Sequence, residues 1–344
     1  MPDIPLEDRV TAPVVRMPHD TDELSWRPAT LDDVDAVLDC ARAMDPVDHP
    51  HYVSTREEFE DDFSHSHIDM SRDSLLALDP SGRVVAWGLS ALSPGQDTLV
   101  RSILFGGVRP DSRGEGIGRQ LFAWQNDRGL EQLAGLEKTL PGWLMTYAEE
   151  KQGSAASLYS RFGYRIARYY LQLTRVVGEP IADRTLGEGL RIVQFDETWS
   201  EATMVARNNA FRDHWGSQPV NEEIWSSFIG RSHARADLSY LAVGTSAAGV
   251  DEVAGFVITS VNEDDWEAAG YSSGYIDLVG VTREWRGRGI APALLSQTLR
   301  AIRDAGLERA VLDVDSDSPT GALGLYTGVG FTEESRSLNF IREF

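Results

Sequence analysis

Val281-Thr-Arg-Glu-Trp-Arg286-Gly-Arg-Gly289-Ile-Ala291 is a glycine-punctuated stretch between an apolar run and an amphipathic one. Residues 274–281 read as a strand. Residues 289–305 carry Ile290, Leu294, Leu295, Thr298 and Ile302 at helical spacing. A loop between strand and helix leaves the first-turn N–H groups of the helix facing outward, where the helix dipole favours an anion. Gly289 and Ala291 remove side chains where a backbone must approach a ligand. A pyrophosphate suits such a place. The stretch lacks the Gly-Lys-Ser/Thr ending of a nucleoside-triphosphatase loop and the full dinucleotide-binding fingerprint.

The same pattern occurs once more. Val108-Arg-Pro-Asp-Ser-Arg113-Gly-Glu-Gly116-Ile-Gly118 precedes it by 173 residues. Each loop is followed by a second landmark: Leu158-Tyr159-Ser-Arg-Phe-Gly163-Tyr164 in the first half, Leu325-Tyr326-Thr-Gly-Val-Gly330-Phe331 in the second, 167 residues apart. Two landmarks in the same order at nearly the same offset mark an internal repeat. Glu115 stands where the second loop has Arg288.

The flanking segments repeat as well. The second half reads as strand 190–195, helices 200–213 and 221–229, strands 238–243, 252–260 and 274–281, helix 289–305, strand 309–314, helix 319–328 and strands near 331–334 and 337–342. The first half reads as strand 24–28, helices 31–43 and 55–64, strands 74–79, 83–92 and 97–108, helix 116–134, strand 142–148, helix 153–161 and strands 164–176. Gly178, Pro180, Gly187 and Gly189 suggest a linker at 178–189. The reading is therefore an N-terminal arm (1–23), a first domain (24–177), the linker and a second domain (190–344). A chain of 344 residues is comfortable as two α/β domains.

Composition narrows the function classes. The chain is 42% hydrophobic and 25% charged, as a soluble globular protein is. Residues 1–177 hold 18 basic against 28 acidic side chains, and residues 178–344 hold 14 against 26. Neither half is suited to a nucleic-acid backbone. A negative field instead concentrates cationic small molecules. Cys40, the single cysteine, excludes an intramolecular disulfide and a cysteine-based metal site. No apolar run approaches the ~20 residues of a membrane span, and residues 1–23 do not resemble a signal peptide. A cytoplasmic protein without membrane contact is expected, as a monomer or homodimer. His49, His51, His65 and His67 lie among carboxylates in 45–69, but their spacing matches no metal site. That segment is expected to be a solvated acidic face, with no metal.

The loop, followed some 40 residues later by Leu-Tyr-x-x-x-Gly-aromatic, resembles the GNAT superfamily of acyl-CoA-dependent N-acyltransferases. The resemblance covers both halves, residues 24–344, and the tandem arrangement is similar to that of mycothiol synthase, in which the C-terminal copy is catalytic. It implies two α/β (α+β) folds, each a mixed, twisted sheet flanked by helices. In each, the fourth and fifth strands splay apart to admit the pantetheine arm of an acyl-CoA donor, acetyl-CoA by default. Carried over by position, the backbone of Leu278, Val279 and Val281 would meet pantetheine. Arg286, Gly287, Arg288, Gly289, Ile290 and Ala291 would cradle the pyrophosphate, with Ser318 near the place of a family Asn. Val108, Arg113, Gly114, Gly116, Ile117 and Gly118 form the matching set in the first half.

Acetyl transfer to an amine needs a base, a stabilised oxyanion and an acid at the leaving sulfur. The resemblance places the acid at Tyr326, with Tyr159 as its counterpart. It places the base on the strand before the loop, at Asp277 or Tyr275. The first half has Leu104 and Ser102 there, and Leu104 cannot accept a proton, which favours the C-terminal domain. Asp213, His214 and Trp215 follow the first helix of the second domain, where the fold lines its acceptor pocket. The expected reaction is N-acetylation of a small, polar or cationic amine, a metabolite or an antibiotic. A non-catalytic acyl-CoA sensor and a protein N-acetyltransferase are the competing readings.

Overall fold

A computed structural model describes residues 4–246, 249–318 and 321–344. The chain divides into two compact units. Unit 1 comprises residues up to Arg168 together with Ser337–Phe344, and unit 2 comprises Tyr169–Arg336.

Unit 1 begins with a short helix α1 (Leu6–Arg9) and an edge strand β1 (Ser25–Arg27). Then come helices α2 (Val34–Asp48), α3 (Arg56–Ser64) and α4 (Met70–Asp73) and the antiparallel strands β2 (Ser74–Leu78), β3 (Val84–Leu92) and β4 (Val100–Val108). Helix α5 (Ile117–Ala134) leads to β5 (Gly142–Glu149), α6 (Gly153–Arg161) and β6 (Arg165–Val176). The N-terminal arm is anchored: Leu6 is fully buried in the core that also holds Phe122, Leu133 and Leu144.

Unit 2 continues with β7 (Leu190–Gln194), α7 (Ser200–Ala210), α8 (Glu222–Gly230), β8 (Tyr240–Thr245), β9 (Asp251–Ser260) and α9 (Asp265–Ala269). It ends with β10 (Ser273–Val281), α10 (Ile290–Asp304), β11 (Arg309–Asp315), α11 (Ala322–Gly328) and β12 (Thr332–Glu343). Of the helix expected at 319–328, residues 319–320 lie outside the described residues. Its sheet is sandwiched. One face packs Ile276, Ala310 and Leu312 against α10 residues Ile290, Leu294 and Ile302. The other packs Leu241, Val253 and Phe256 against Ala206 and Trp225 of α7 and α8. Each fully buried Leu, Ile or Phe contributes about 1.5–3 kcal/mol.

The division differs from the expected boundaries at two places. Tyr170–Val176 of β6 pairs antiparallel with β11 and belongs to unit 2. Ser337–Glu343 of β12 pairs antiparallel with β5 and belongs to unit 1. Residues 178–189 are not a free connector. Ile181 and Leu186 pack on the unit 2 core, and Arg300 holds Ala182 O and Asp183.

Both units splay where the resemblance implies. β10 and β11 pair in parallel only from Ser273–Tyr275 against Arg309–Val311, although both strands continue. β4 and β5 pair only over Val100–Ile103 against Gly142–Met145. The mixed, twisted sheet flanked by helices is thus present in each unit.

Candidate functional site

The unit 2 site grows from a bulge. β10 pairs with β9 through Ile276↔Thr259 and then Leu278↔Ile258, so Asp277 is an extra residue on β10. A bulge re-aims the side chains beyond it. Ile276 and Val279 both face the α10 side, three residues apart, whereas Leu278 packs on the α7/α8 side. Strict alternation would not allow that. At the bulge, Ser260 Oγ donates to Asp277 Oδ1 at 3.1 Å, while buried Oδ2 has no hydrogen-bond partner among the described residues. Enclosure by protein pushes the Asp277 carboxyl up to about 7, partly opposed by the Ser260 bond.

Past the bulge, β10 runs into the glycine loop. Gly287 and Gly289 have φ of +76° and +73°, and a Cβ at either would meet no atom within 4 Å. The glycines are needed for backbone conformation and leave open space above the loop. No backbone N–H from Gly287 to Ala291 bonds a described residue, and the first turn of α10 carries no acidic side chain. Five consecutive free donors at a helix N-terminus form a ready anion cradle.

A cavity of about 440 Å³ links these features. It brings together Asp277, Val279, Val281, Arg286, Gly287, Gly289, Ile290, Ala291, Ser318, Tyr326 and His214. Tyr326 is buried and packs edge-on against Phe331 at 6.1 Å. Burial raises its hydroxyl well above the usual tyrosine range, so it stays protonated.

Other candidates lie elsewhere. Arg288 sits over the Trp285 ring at 4.6 Å and does not line the cavity. Leu278 points its side chain into the α7/α8 core. Trp215 does not line the cavity, and Asp213 is engaged by Arg283 and by Arg286 Nη1 at 3.0 Å, which hold its carboxyl below the usual range. Arg286 also reaches Ala210 O and Val281 O, so its guanidinium fastens the loop to the end of α7. Tyr275 does not line the cavity but donates to Asp313 Oδ2 at 2.8 Å. Asp313 does line it, together with Tyr170, Phe211 and Asp315. Sequence reading missed these, although Asp313 and Asp315 alternate with Leu312 and Val314 on β11.

Unit 1 repeats the loop, but side chains bond the β4 carbonyls at its opening. Gly114 and Gly116 have φ of +89° and +86°, and Arg113 reaches Val108 O and Asp48 as Arg286 reaches Val281 O and Asp213. Ile117 and Gly118 open α5, with Ile117 buried. Glu115 is exposed. The β3/β4 ladder runs from Ala86↔Val108 to Leu92↔Ser102 with no register shift, so there is no bulge. Thr146 Oγ1 on β5 donates to Leu104 O at 3.1 Å, across the place where the strands part. Gln125 Nε2 donates to Phe105 O at 2.5 Å. Ser102 bonds Gln132, and Tyr159 Oη is spent on Tyr147 O at 3.4 Å. The 45–69 segment is not wholly a solvated face, since Asp45 and Asp48 are buried on Ser54 and Arg113.

The chain is similar to known proteins in sequence and in fold. Residues 200–331 match the acetyltransferase (GNAT) family model. A mycothiol acetyltransferase of Salinispora arenicola is 31% identical over 240 residues, 68% of this chain and 71% of that protein. The chain belongs to the GNAT acetyltransferase family. A mycothiol acetyltransferase of Geodermatophilus obscurus is 28% identical over 334 residues, covering 96% of this acetyltransferase and 98% of its relative. Among solved structures, a GCN5-related N-acetyltransferase from Sphaerobacter thermophilus aligns over 95% of this chain and 97% of its own at TM-score 0.68 and 24% identity. A tandem GNAT protein from the clavulanic acid biosynthesis pathway aligns over 93% and 98% at TM-score 0.67 and 16% identity. The protein is an N-acetyltransferase of two GNAT folds in tandem. The fold uses acyl-CoA donors. No helix among the described residues is long and apolar enough to cross a membrane.

Proposed function

We propose that unit 2 transfers acetyl from acetyl-CoA to the primary amine of a small polar molecule. One observation carries this reading: Asp277, with a bare carboxylate oxygen, shares a cavity with Tyr326 and the free N–H groups of the glycine loop. The pyrophosphate rests on Gly287–Ala291, and pantetheine lies between β10 and β11, pairing with the strand edge near Val279–Val281. Ser318 lines the same cavity and contacts the donor.

Asp277 takes a proton from the acceptor ammonium, directly or through water. A carboxyl near 7 is matched to that task at neutral pH. The free amine adds to the thioester carbon. A backbone N–H of Val279–Val281 stabilises the oxyanion. The carbon–sulfur bond then breaks: Tyr326 gives its proton to the leaving thiolate, and the added nitrogen sheds its second proton, which restores the Tyr326 hydroxyl directly or through water. The products are the N-acetyl amide and CoA. His214 and Phe211 line the acceptor side, at the end of α7.

Unit 1 keeps a loop but is proposed to take no donor, because Thr146 and Gln125 already occupy β4 carbonyls beside its opening. A sensor that only binds acyl-CoA would not need a neutral-range carboxyl beside the thioester.

The test is thiol release from acetyl-CoA across a panel of primary amines. The curated relatives make the des-acetyl amine of mycothiol the first acceptor to assay. Turnover that Asp277→Asn abolishes without loss of acetyl-CoA binding supports the reading. Binding without turnover on any amine would contradict it.

A further inference from the structure

Asp313 has no part in the chemistry above. Parallel pairing of β10 and β11 ends at Tyr275↔Val311. Asp277 lies two residues past that point on β10, and Asp313 two residues past it on β11. The two carboxylates thus stand on the two lips of the opening, wider apart than the ~4.8 Å of paired strands. Both line the cavity.

The surroundings of Asp313 differ from those of an ordinary surface carboxylate. Ala310, Leu312 and Val314 turn to the α10 side, which leaves Asp313 on the face of α7 and α8 with Tyr275. That is the acceptor side, where Ala210, Phe211 and His214 close the cavity. No arginine or lysine pairs with Asp313: Tyr275 Oη is its one hydrogen-bond donor among the described residues. Asp313 is exposed on the cavity wall, so a cationic group of a ligand can reach it without displacing a basic side chain. The Tyr275 bond occupies Oδ2.

We propose that Asp313, oriented by Tyr275, is a second anionic anchor that selects acceptors carrying a second ammonium group in addition to the amine that is acetylated. Asp277 handles the reacting nitrogen, and Asp313 pairs with the distal one. The inference rests on unit 2 being the acetylating site. Asp313 is a specificity residue and Tyr275 a positioning residue.

The test compares kcat/KM for 1,3-diaminopropane, 1,4-diaminobutane and 1,5-diaminopentane with the monoamine of each length, alongside the des-acetyl amine of mycothiol. The expected result is a preference of tenfold or more for at least one diamine. Asp313→Asn, nearly isosteric, should erase that preference through KM while leaving the matched monoamine within about twofold. Tyr275→Phe should reduce it in part. Equal use of diamine and monoamine overturns the inference and leaves the acetylating site standing. So does a preference retained in Asp313→Asn, or turnover of the mycothiol amine alone. No turnover with any amine overturns the acetylating site itself, and the inference with it.

Discussion

Ser260 Oγ donates to Asp277 Oδ1 at 3.1 Å, at the point where β10 carries one residue more than β9. The bulge turns a strand carboxylate into the mouth of a cavity, and the serine fixes one oxygen while the other stays bare. The first prediction follows from this arrangement. Asp277→Asn should lower kcat/KM by about 10²-fold or more, with acetyl-CoA affinity unchanged. In the parent protein kcat/KM should rise with pH and level off above about 7, since the base must shed its proton. A flat profile from pH 5 to 8 would remove Asp277 from this role.

The same carboxyl affects stability. Between about pH 4 and about 7 the folded chain holds a proton on Asp277 that the unfolded chain has released. Its contribution to stability therefore falls as pH rises through that window and is constant above it. Urea midpoints for the parent and Asp277→Asn should converge at low pH and separate, in favour of Asn, towards neutral pH. A difference that does not change with pH would contradict the raised value.

The two tyrosines of the repeat should behave unequally. Tyr326 lines the cavity, whereas Tyr159 is wedged between Phe122 and Phe340 with its hydroxyl on Tyr147 O. Tyr326→Phe should reduce kcat by about 10²-fold, the range for loss of a general acid. Tyr159→Phe should leave kcat within about twofold and cost about 1 kcal/mol of stability. Steady-state rates and thermal midpoints of both variants decide this.

The C-terminal eight residues should matter to unit 1. Leu338 and Phe340 are buried in its core, and Ser337–Glu343 pairs with β5. Removing 337–344 strips a strand and the buried side chains of Leu338, Phe340 and Ile341, several kcal/mol by burial alone. Limited proteolysis should then cut preferentially within residues 25–168. Protection equal to that of the intact chain would contradict the assignment of this segment.

Much of this was legible in sequence, for identifiable reasons. The loops could be read because Gly287, Gly289, Gly114 and Gly116 occupy left-handed backbone that other residues avoid. Tyr326 and Asp277 could be named because the family resemblance gives their positions relative to those loops. The bulge could not be read, since an extra strand residue has no compositional mark. The pairing of 169–176 with β11 and of 337–343 with β5 was also hidden, because an apolar strand carries the same alternation whichever neighbour it joins. The ion pairs of Asp213 were hidden as well, because they come from Arg283 and Arg286, some 70 residues away.

The central claim is that the donor binds in unit 2 and not in unit 1. Calorimetric titration of the CoA-free protein with acetyl-CoA tests it most directly, run on the parent, Gly289→Val and Gly116→Val. Valine at either position opposes the left-handed backbone and fills the space over the free N–H groups. The account predicts one site per chain, lost in Gly289→Val and kept in Gly116→Val. Two sites per chain, or a single site lost in Gly116→Val and kept in Gly289→Val, would contradict it.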